Sequence, residues 1–250
     1  MVNRALILGG TAEAGALART LAAGGEVVPI LSLAGLTEAA PVQGVVMRSG
    51  GFGGPEGLSA YLRATGIVAV FDATHPFAAR ITEHAVRACA AAGVPRFRLQ
   101  RALWQLQPGD RWHAVDSIGQ GLDWLLPRAR RIFVTLGRKA LDELGRAEAF
   151  TFVMRGITRP ETLPANVIWM SGRPPFPVED EVALLERHEI RALFIQASGG
   201  ELTYAKLAAA RELGLPVVML TRPQAPDGAS GSVPEAVAWL AGVLGRRTWV

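Results

Sequence analysis

The chain has 250 residues, half of them hydrophobic and 19% charged, a composition that excludes intrinsic disorder and suits one large or two small globular cores. No apolar run approaches the roughly 20 residues that cross a bilayer, and the N-terminus carries no signal-peptide pattern, so we expect a cytoplasmic protein without a membrane partner. One cysteine excludes an internal disulfide, and together with four scattered histidines it shows no metal-ligand spacing, so we expect no bound metal.

The charge of the chain is carried unevenly. The net charge is +4, and all basic residues except Lys139 and Lys206 are arginines. Arginine binds carboxylates and phosphates through paired hydrogen bonds, which favours a small polyanionic ligand. A GC-rich genome, which raises the arginine, alanine and glycine content together, explains the same bias without a ligand. No basic run is interleaved with aromatic residues, so we expect no nucleic-acid partner.

The first predicted strand leads into a turn with two consecutive glycines and then into a helical pattern. Gly9 and Gly10 permit a sharp turn and a close approach of the backbone to a phosphate, and the helix start that follows, Thr11, Ala12 and Glu13, adds unpaired N–H groups. We therefore predict that these five residues bind a dinucleotide cofactor, with Gly9, Gly10, Thr11 and Ala12 at its pyrophosphate. The glycine spacing departs from the G-x-G-x-x-G fingerprint, and a plain helix start explains the same turn.

The next two predicted strands end in residues that favour a phosphorylated dinucleotide. The second strand ends at Ser32, where many NAD-binding domains carry an acidic residue for the ribose hydroxyls. The third ends at Arg48 and runs into a glycine-rich loop that contains Gly51 and Phe52. A cation and backbone donors suit a 2′-phosphate, so the pattern favours NADPH over NADH. A solvated arginine beside a mobile loop is the alternative interpretation.

The apolar fourth strand is followed by the sequence Asp-Ala-Thr-His-Pro-Phe-Ala at residues 72–78. It places Asp72, Thr74 and His75 at the carboxyl end of a buried parallel strand, where ligands bind in open α/β sheets. We therefore predict a catalytic role for these three residues. Pro76 at a first helical position, with Thr74 as the cap, explains the same segment as a helix start.

Strand and helix patterns alternate along the chain, which predicts an α/β fold with two Rossmann-like parallel-sheet domains and a cleft between them. The predicted strands lie near 4–8, 26–32, 44–48, 67–71, 95–99, 132–136, 150–154, 166–170, 192–196 and 216–220. The predicted helices lie near 12–23, 56–65, 77–92, 118–126, 138–146, 178–189, 203–213 and 233–244. Because the pattern loosens between residues 100 and 131, we assign residues 1–100 to a dinucleotide-binding domain and 101–250 to a domain that completes the substrate cleft.

Over essentially the whole chain, these motifs resemble the precorrin-6A reductases of cobalamin (vitamin B12) biosynthesis. The segments that carry the resemblance are residues 7–14 (ILGGTAEA), 50–53 (GGFG), 72–78 (DATHPFA), Arg101 with Trp104, Thr135 with Gly137, 198–200 (SGG) with Lys206, and 213–219 (LGLPVVM) with Arg222 and Pro223. The chain departs from the family pattern at Gln196 and Ala197, where we expect a lysine and a polar residue. This departure removes any cationic role for position 196.

The resemblance implies an enzyme that transfers a hydride from NADPH to a carbon–carbon double bond of precorrin-6A, giving precorrin-6B. The substrate is a tetrapyrrole rimmed with acetate and propionate carboxylates. The expected substrate-binding residues are Arg101, Trp104, Arg138, Arg155, Ser198, Gly199, Gly200 and Lys206. A buried tryptophan that packs in a domain junction is the plainer account of Trp104. The sequence sets no oligomeric state, and a monomer is compatible with it.

Within this reaction Thr74 and His75 would lie near the nicotinamide. His75 would supply or relay the proton that completes the reduction, or would hydrogen-bond a carboxylate while water protonates the carbon. Two other functions suit the same scaffold: a nucleotide-sensing α/β regulatory protein, and an NADPH reductase of another small polyanionic substrate. Consumption of NADPH, as opposed to binding alone, distinguishes the enzymes from the sensor.

Overall fold

The computed structural model describes residues 3–35 and 41–245, which form two compact units. Unit 1 combines the described residues up to Arg101 with those from Pro223 onward, and unit 2 spans Ala102–Arg222. In chain order the elements are β1 (Arg4–Leu8), α1 (Ala12–Gly24), β2 (Val28–Leu33), β3 (Val46–Ser49), α2 (Gly54–Thr65), β4 (Ile67–Asp72), α3 (Ala79–Ala92), β5 (Arg96–Leu99), β6 (Trp112–Val115), α4 (Ile118–Leu125), β7 (Arg131–Thr135), α5 (Leu141–Arg146), β8 (Thr151–Gly156), β9 (Val167–Ser171), α6 (Val178–Arg187), β10 (Ala192–Gln196), α7 (Ala205–Glu212), β11 (Val217–Leu220), β12 (Ala229–Gly231) and α8 (Val233–Val243).

The sheet of unit 1 has the strand order β12-β5-β4-β1-β2-β3, and all its strand pairs are parallel. Its central strands are apolar on both sides because helices cover both faces. On one face α1 and α8 bury Leu17, Leu21 and Leu240, and on the other α2 and α3 bury Leu58 and Cys89. This layering is the Rossmann-like arrangement that the alternating pattern predicts, and it brings the carboxyl ends of β1 to β4 to one edge.

The C-terminal segment belongs to unit 1, so the predicted second domain, 101–250, is wrong in its last part. β12 adds to the edge of the first sheet beside β5, with Ser230 opposite Arg98. A capping box of Ser232 and Glu235 then starts α8, whose Trp239 packs 5.4 Å from the ring of Phe97. The packing of this partly buried tryptophan against the core of unit 1 provides the physical reason for the return of the chain. β12 has three residues, too few to give a periodic sequence signal.

The sheet of unit 2 has the order β6-β11-β10-β7-β8-β9 and is also parallel throughout. Its centre is built on the fully buried rings of Phe133, Phe152 and Phe194. The sequence pattern missed β6, a four-residue edge strand that lies in the stretch where the periodicity loosens. The helix predicted at 138–146 is divided into a 3-10 turn, Arg138–Ala140, and α5. No helix in the described ranges is long and apolar enough to cross a bilayer.

Candidate active site

The first glycine turn is locked in place at the end of β1. The Gly9 N–H donates to the Ser32 carbonyl at 2.9 Å, and a Cβ at Gly9 would lie 2.6 Å from the end of the Leu31 side chain, so a larger residue here would have to displace that leucine. Gly10 has a φ of +114°, a conformation that side chains disfavour. The Thr11 hydroxyl accepts from the Ala14 N–H at 3.2 Å and donates to the Ala73 carbonyl at 2.8 Å. Thr11 thereby caps α1 and joins the turn to the loop after β4.

A cavity of about 560 Å³ lies at the carboxyl edge of the unit 1 sheet. Its walls are the ends of β1 and β2, the loop 50–54, the loop after β4 and the first turns of α3. The residues predicted for a dinucleotide or for catalysis that line it are Gly9, Gly10, Ser32, Gly51, Phe52, Thr74 and His75. Thr11, Ala12, Glu13, Arg48 and Asp72 are not among its lining residues. Three further lining residues, Arg80, Ile81 and His84, went unnoticed in the sequence because a helical pattern alone does not show which face meets a cavity.

Arg48 organises the glycine-rich loop beside the cavity. Its guanidinium donates to the Ser32 hydroxyl at 3.0 Å and to the carbonyls of Gly50 and Gly51 at 2.6 and 2.7 Å. It also stacks 3.7 Å from the centre of the Phe52 ring, a cation–π contact. These contacts use most of its donor capacity within the protein, so the loop is held in shape before any ligand arrives. Contact of Arg48 with a cofactor phosphate stays a prediction.

Asp72 lies in a buried polar cluster beneath the cavity. Its Oδ1 accepts from the Thr74 N–H and hydroxyl at 3.2 and 2.7 Å, and its Oδ2 lies 2.5 Å from Nη1 of Arg98. The same Arg98 nitrogen donates to the Thr74 and Thr82 hydroxyls at 3.1 and 2.8 Å. Asp72 is completely buried, so it positions Thr74 and α3 and does not face the cavity itself. Sequence reasoning missed Arg98, although the register opposes it directly to Asp72 across β4 and β5.

His75 lines the cavity with a defined orientation. Its Nδ1 accepts a hydrogen bond from the Phe77 backbone N–H at 3.3 Å, and its ring lies 5.9 Å from the Phe77 ring. An accepting Nδ1 assigns the proton of a neutral imidazole to Nε2. Nε2–H is therefore the donor that this histidine offers. An imidazolium would carry a proton on both nitrogens and would lose the contact with Phe77.

Glu13 and Arg101, predicted for the cofactor and for the substrate, pair with one another in unit 1. The Arg101 guanidinium lies 2.7 Å from a Glu13 carboxylate oxygen, and both side chains are partly buried. A carboxylate in the first turn of α1 suits the helix dipole but repels an incoming phosphate. The arginine offsets that charge beside the glycine turn.

One group of the substrate-binding residues predicted in the second half forms a loop of unit 2. The loop of Ser198, Gly199 and Gly200 follows β10, and the Trp104 indole donates to the Gly200 carbonyl at 2.9 Å. Arg222 donates to the Ser198 carbonyl at 2.8 Å. A Cβ at Gly199 would overlap the Ala102 carbonyl, so the loop needs glycine where it meets the backbone of its own unit. Trp104 thus supports the loop from inside unit 2.

Arg155 and Lys206 belong to a second group of buried charges, in which Arg155 and Glu181 act electrostatically on the Lys206 ammonium. Arg155 lies 2.6 Å from Glu181, which is almost fully buried, and stacks 3.7 Å from the centre of the Phe176 ring. The Lys206 ammonium donates to the Thr203 carbonyl and lies 5.4 Å from the centre of the Trp104 ring. Glu181 was missed because it falls in the acidic first turn of α6, which is typical of any helix start.

The remaining predicted positions of unit 2 lie around the end of β7. Arg138 is exposed on the 3-10 turn, and Gln196 donates to the Leu136 carbonyl at 2.8 Å. Gln196 therefore links β10 to the loop after β7 through a neutral amide.

Comparison with known proteins identifies the family of this chain. A family model described as precorrin-6x reductase CbiJ/CobK matches residues 4–241. The chain belongs to this family. A curated precorrin-6A reductase from Rhodococcus erythropolis is 41% identical over 249 residues, which cover 98% of this chain and 100% of that protein. A solved structure of CobK precorrin-6A reductase has a TM-score of 0.89 and 38% identity, and the match covers 97% of each chain.

The curated relatives of this chain also include a protein named for a cobalt-containing substrate, and it is less similar to this chain. A cobalt-precorrin-6A reductase from Priestia megaterium is 27% identical over 197 residues, which cover 73% of this chain and 76% of that protein. Both its identity and its coverage are lower than those of the Rhodococcus erythropolis protein.

Buried Lys206 makes the free energy of unfolding of this protein depend on pH. Burial lowers the pKa of its ammonium to about 8, from 10.5 in the unfolded chain, while Glu181 opposes and Arg155 adds to the change. Between these two values the unfolded chain binds one proton more than the folded protein, so stability rises with pH by up to about 1.4 kcal/mol per unit. We expect the free energy of unfolding of the wild type, minus that of Lys206→Met, to increase by about 1–2 kcal/mol from pH 7.5 to 9.5.

Chemical denaturation at both pH values measures this difference. Cys89, whose pKa burial raises to about 11, titrates in both proteins, so its contribution cancels. Lys139→Met, which removes the exposed second lysine, is the matched control and leaves the difference constant. A constant difference for Lys206→Met as well would contradict the effect of burial.

Proposed function

We propose that the protein catalyses the NADPH-dependent reduction of a carbon–carbon double bond of precorrin-6A to give precorrin-6B, in the cytoplasm and as a step of cobalamin biosynthesis. One observation carries the proposal: in a chain of the precorrin-6x reductase family, a single cavity joins the glycine turn after β1 to Thr74 and His75 after β4. A phosphate-binding turn and polar side chains are the two parts that a nicotinamide-dependent reductase brings together at a sheet edge.

The residues around the cavity fit a phosphorylated dinucleotide. A Cβ at Gly10, Gly50, Gly51 or Gly53 would meet no atom within 4 Å, so the backbone at these glycines is open to a ligand. The first N–H groups of α1 have no partner inside the helix and favour a pyrophosphate. Gly9, Gly10, Thr11 and Ala12 would hold that group, with Glu13 beside them, and Ser32, Arg48, Gly51 and Phe52 would surround the adenosine. When bound, NADPH supplies the hydride for the reduction.

His75 would act by hydrogen bonding and not as the acid. A neutral imidazole whose Nδ1 accepts from Phe77 can donate Nε2–H to a substrate carboxylate, but it is a poor proton donor to carbon. This contact supports the interpretation in which water protonates the carbon. Thr74, fixed by Asp72 and Arg98, would hold the neighbouring wall of the cavity rigid.

The substrate carboxylates would be bound by cations and loop donors at the carboxyl ends of the strands. In unit 2 the candidates are Arg138, Arg155, Ser198, Gly199, Gly200 and Lys206, with Trp104 as support, and in unit 1 the candidate is Arg101. Arg155 and Lys206 share Glu181, so they would contribute together as a cluster with one net positive charge. Arginine pairs well with the planar carboxylates of a tetrapyrrole.

The metal-free substrate is the one we propose. The relative named precorrin-6A reductase matches nearly the whole chain, whereas the relative named for the cobalt form matches a smaller share at lower identity. An assay with both substrates under the same conditions decides between them. We expect precorrin-6A to be reduced with the higher kcat/KM.

The experiment is anaerobic mixing of the purified protein with NADPH and precorrin-6A. The nicotinamide absorbance and the visible spectrum of the macrocycle are followed together. A coupled change in both signals is the expected result. If NADPH binds and neither signal changes with either form of the substrate, the proposed activity is wrong and the nucleotide-sensing alternative gains support.

A further inference from the structure

The cavity of unit 1 has a wall with two basic side chains that the proposed roles leave unused. Arg80 and His84 line it from α3, four residues apart and therefore on one face of the helix. Neither side chain forms a hydrogen bond or an ion pair with another residue of the described ranges. No carboxylate stands among the cavity-lining residues in the described part of the chain.

The helix α3, on which Arg80 and His84 lie, is anchored by a buried hydrogen bond. Thr82, between the two residues, is buried and accepts a hydrogen bond from Arg98 at 2.8 Å. The helix begins without a side-chain cap, and Ala78 at its N-cap position also lines the cavity. The positive end of the helix dipole thus faces the same space as Arg80 and His84. This combination of groups favours an anion.

We infer that Arg80 and His84 bind the 2′-phosphate of NADPH and set the preference for NADPH over NADH, an inference that rests on the proposed function. The strand order β4-β1-β2-β3 places Ser32 and the loop 50–54 on the side of the glycine turn where the adenosine of a Rossmann-bound dinucleotide lies. Arg80 and His84 share the cavity with these elements. Arg48 donates three of its hydrogen bonds to Ser32, Gly50 and Gly51, so it orders this loop while α3 supplies Arg80 and His84 as free donors.

The test is calorimetric titration of the full chain with NADPH, NADH, 2′,5′-ADP and 5′-AMP. For Arg80→Gln we expect the Kd of NADPH and of 2′,5′-ADP to rise about 10- to 50-fold, because a charged hydrogen bond to phosphate is lost. The Kd of NADH and of 5′-AMP should change less than about threefold. Arg80→Gln with His84→Gln should weaken NADPH binding further, and Arg80→Lys should recover part of it.

Arg87→Gln is the matched control, because Arg87 lies on α3, pairs with the exposed Glu56 and does not line the cavity. Its affinities should equal those of the wild type. If Arg80→Gln loses affinity for NADPH and NADH equally, Arg80 binds the pyrophosphate and the inference is wrong. An unchanged Kd of NADPH in Arg80→Gln would overturn it as well. If the wild type binds no NADPH at all, the proposed cofactor itself is wrong. That outcome differs from wild-type binding of NADPH that does not depend on Arg80, which contradicts only the assignment of the 2′-phosphate.

Discussion

Asp72→Asn is expected to lower the free energy of unfolding by about 3–5 kcal/mol, because it leaves the buried Arg98 guanidinium without its counter-ion. The two side chains are 0% and 7% exposed and lie 2.5 Å apart, so water cannot replace the lost carboxylate. The amide keeps the shape of the carboxylate, and the effect therefore reports the charge. Urea unfolding of the wild type and the variant measures it.

Two further variants separate charge burial from a general effect of mutation. Asp72→Leu combined with Arg98→Met removes both charges, and we expect it to recover at least half of the lost stability. Glu56→Gln breaks the exposed ion pair with Arg87 and should change stability by less than about 1 kcal/mol. A loss below about 1 kcal/mol for Asp72→Asn would show that the pair behaves like an exposed one and that Asp72 does not anchor the site.

The fold could be predicted from the sequence wherever a strand is apolar on both sides. The central strands β1, β4, β7 and β10 carry continuous apolar runs, since helices cover both faces of each sheet. The edge strands β6 and β12 could not be predicted, because their short segments pair at one side and their register depends on distant residues. β12 joins β5 across about 130 residues of chain, a pairing that no local periodicity encodes.

The site could be predicted in part for the same reason. Gly9, Ser32, Thr74 and His75 each follow a recognisable strand, and parallel strands bring such positions to one edge, where all four line the cavity. The sequence did not predict the residues whose contacts depend on tertiary packing. Arg98 lies within the short strand β5, whose sequence is RFRL, and Arg80 and His84 lie on a helix face whose orientation is set by the buried contact of Thr82. Pairings across strands and helix rotation are tertiary properties.

The role proposed for His75 has consequences for catalysis that differ from those of a proton donor. If Nε2–H binds a substrate carboxylate, His75→Ala should raise the KM for precorrin-6A by about 10- to 100-fold and leave kcat within about threefold, since a charged hydrogen bond is lost equally in the ground and transition states. The Kd of NADPH should be unchanged. Steady-state kinetics with each substrate varied in turn measures these values.

His75→Gln is the variant that distinguishes the two chemistries. The amide nitrogen of the introduced glutamine would lie close to the position of the imidazole Nε2, and it donates a hydrogen bond but cannot act as an acid at neutral pH. We therefore expect His75→Gln to restore most of the affinity for precorrin-6A that His75→Ala loses. If kcat instead falls by about 100-fold or more in both variants, the imidazole transfers the proton. The contact between Nδ1 and the Phe77 N–H would then have to break in each turnover, so that the ring can carry a second proton before it donates the first.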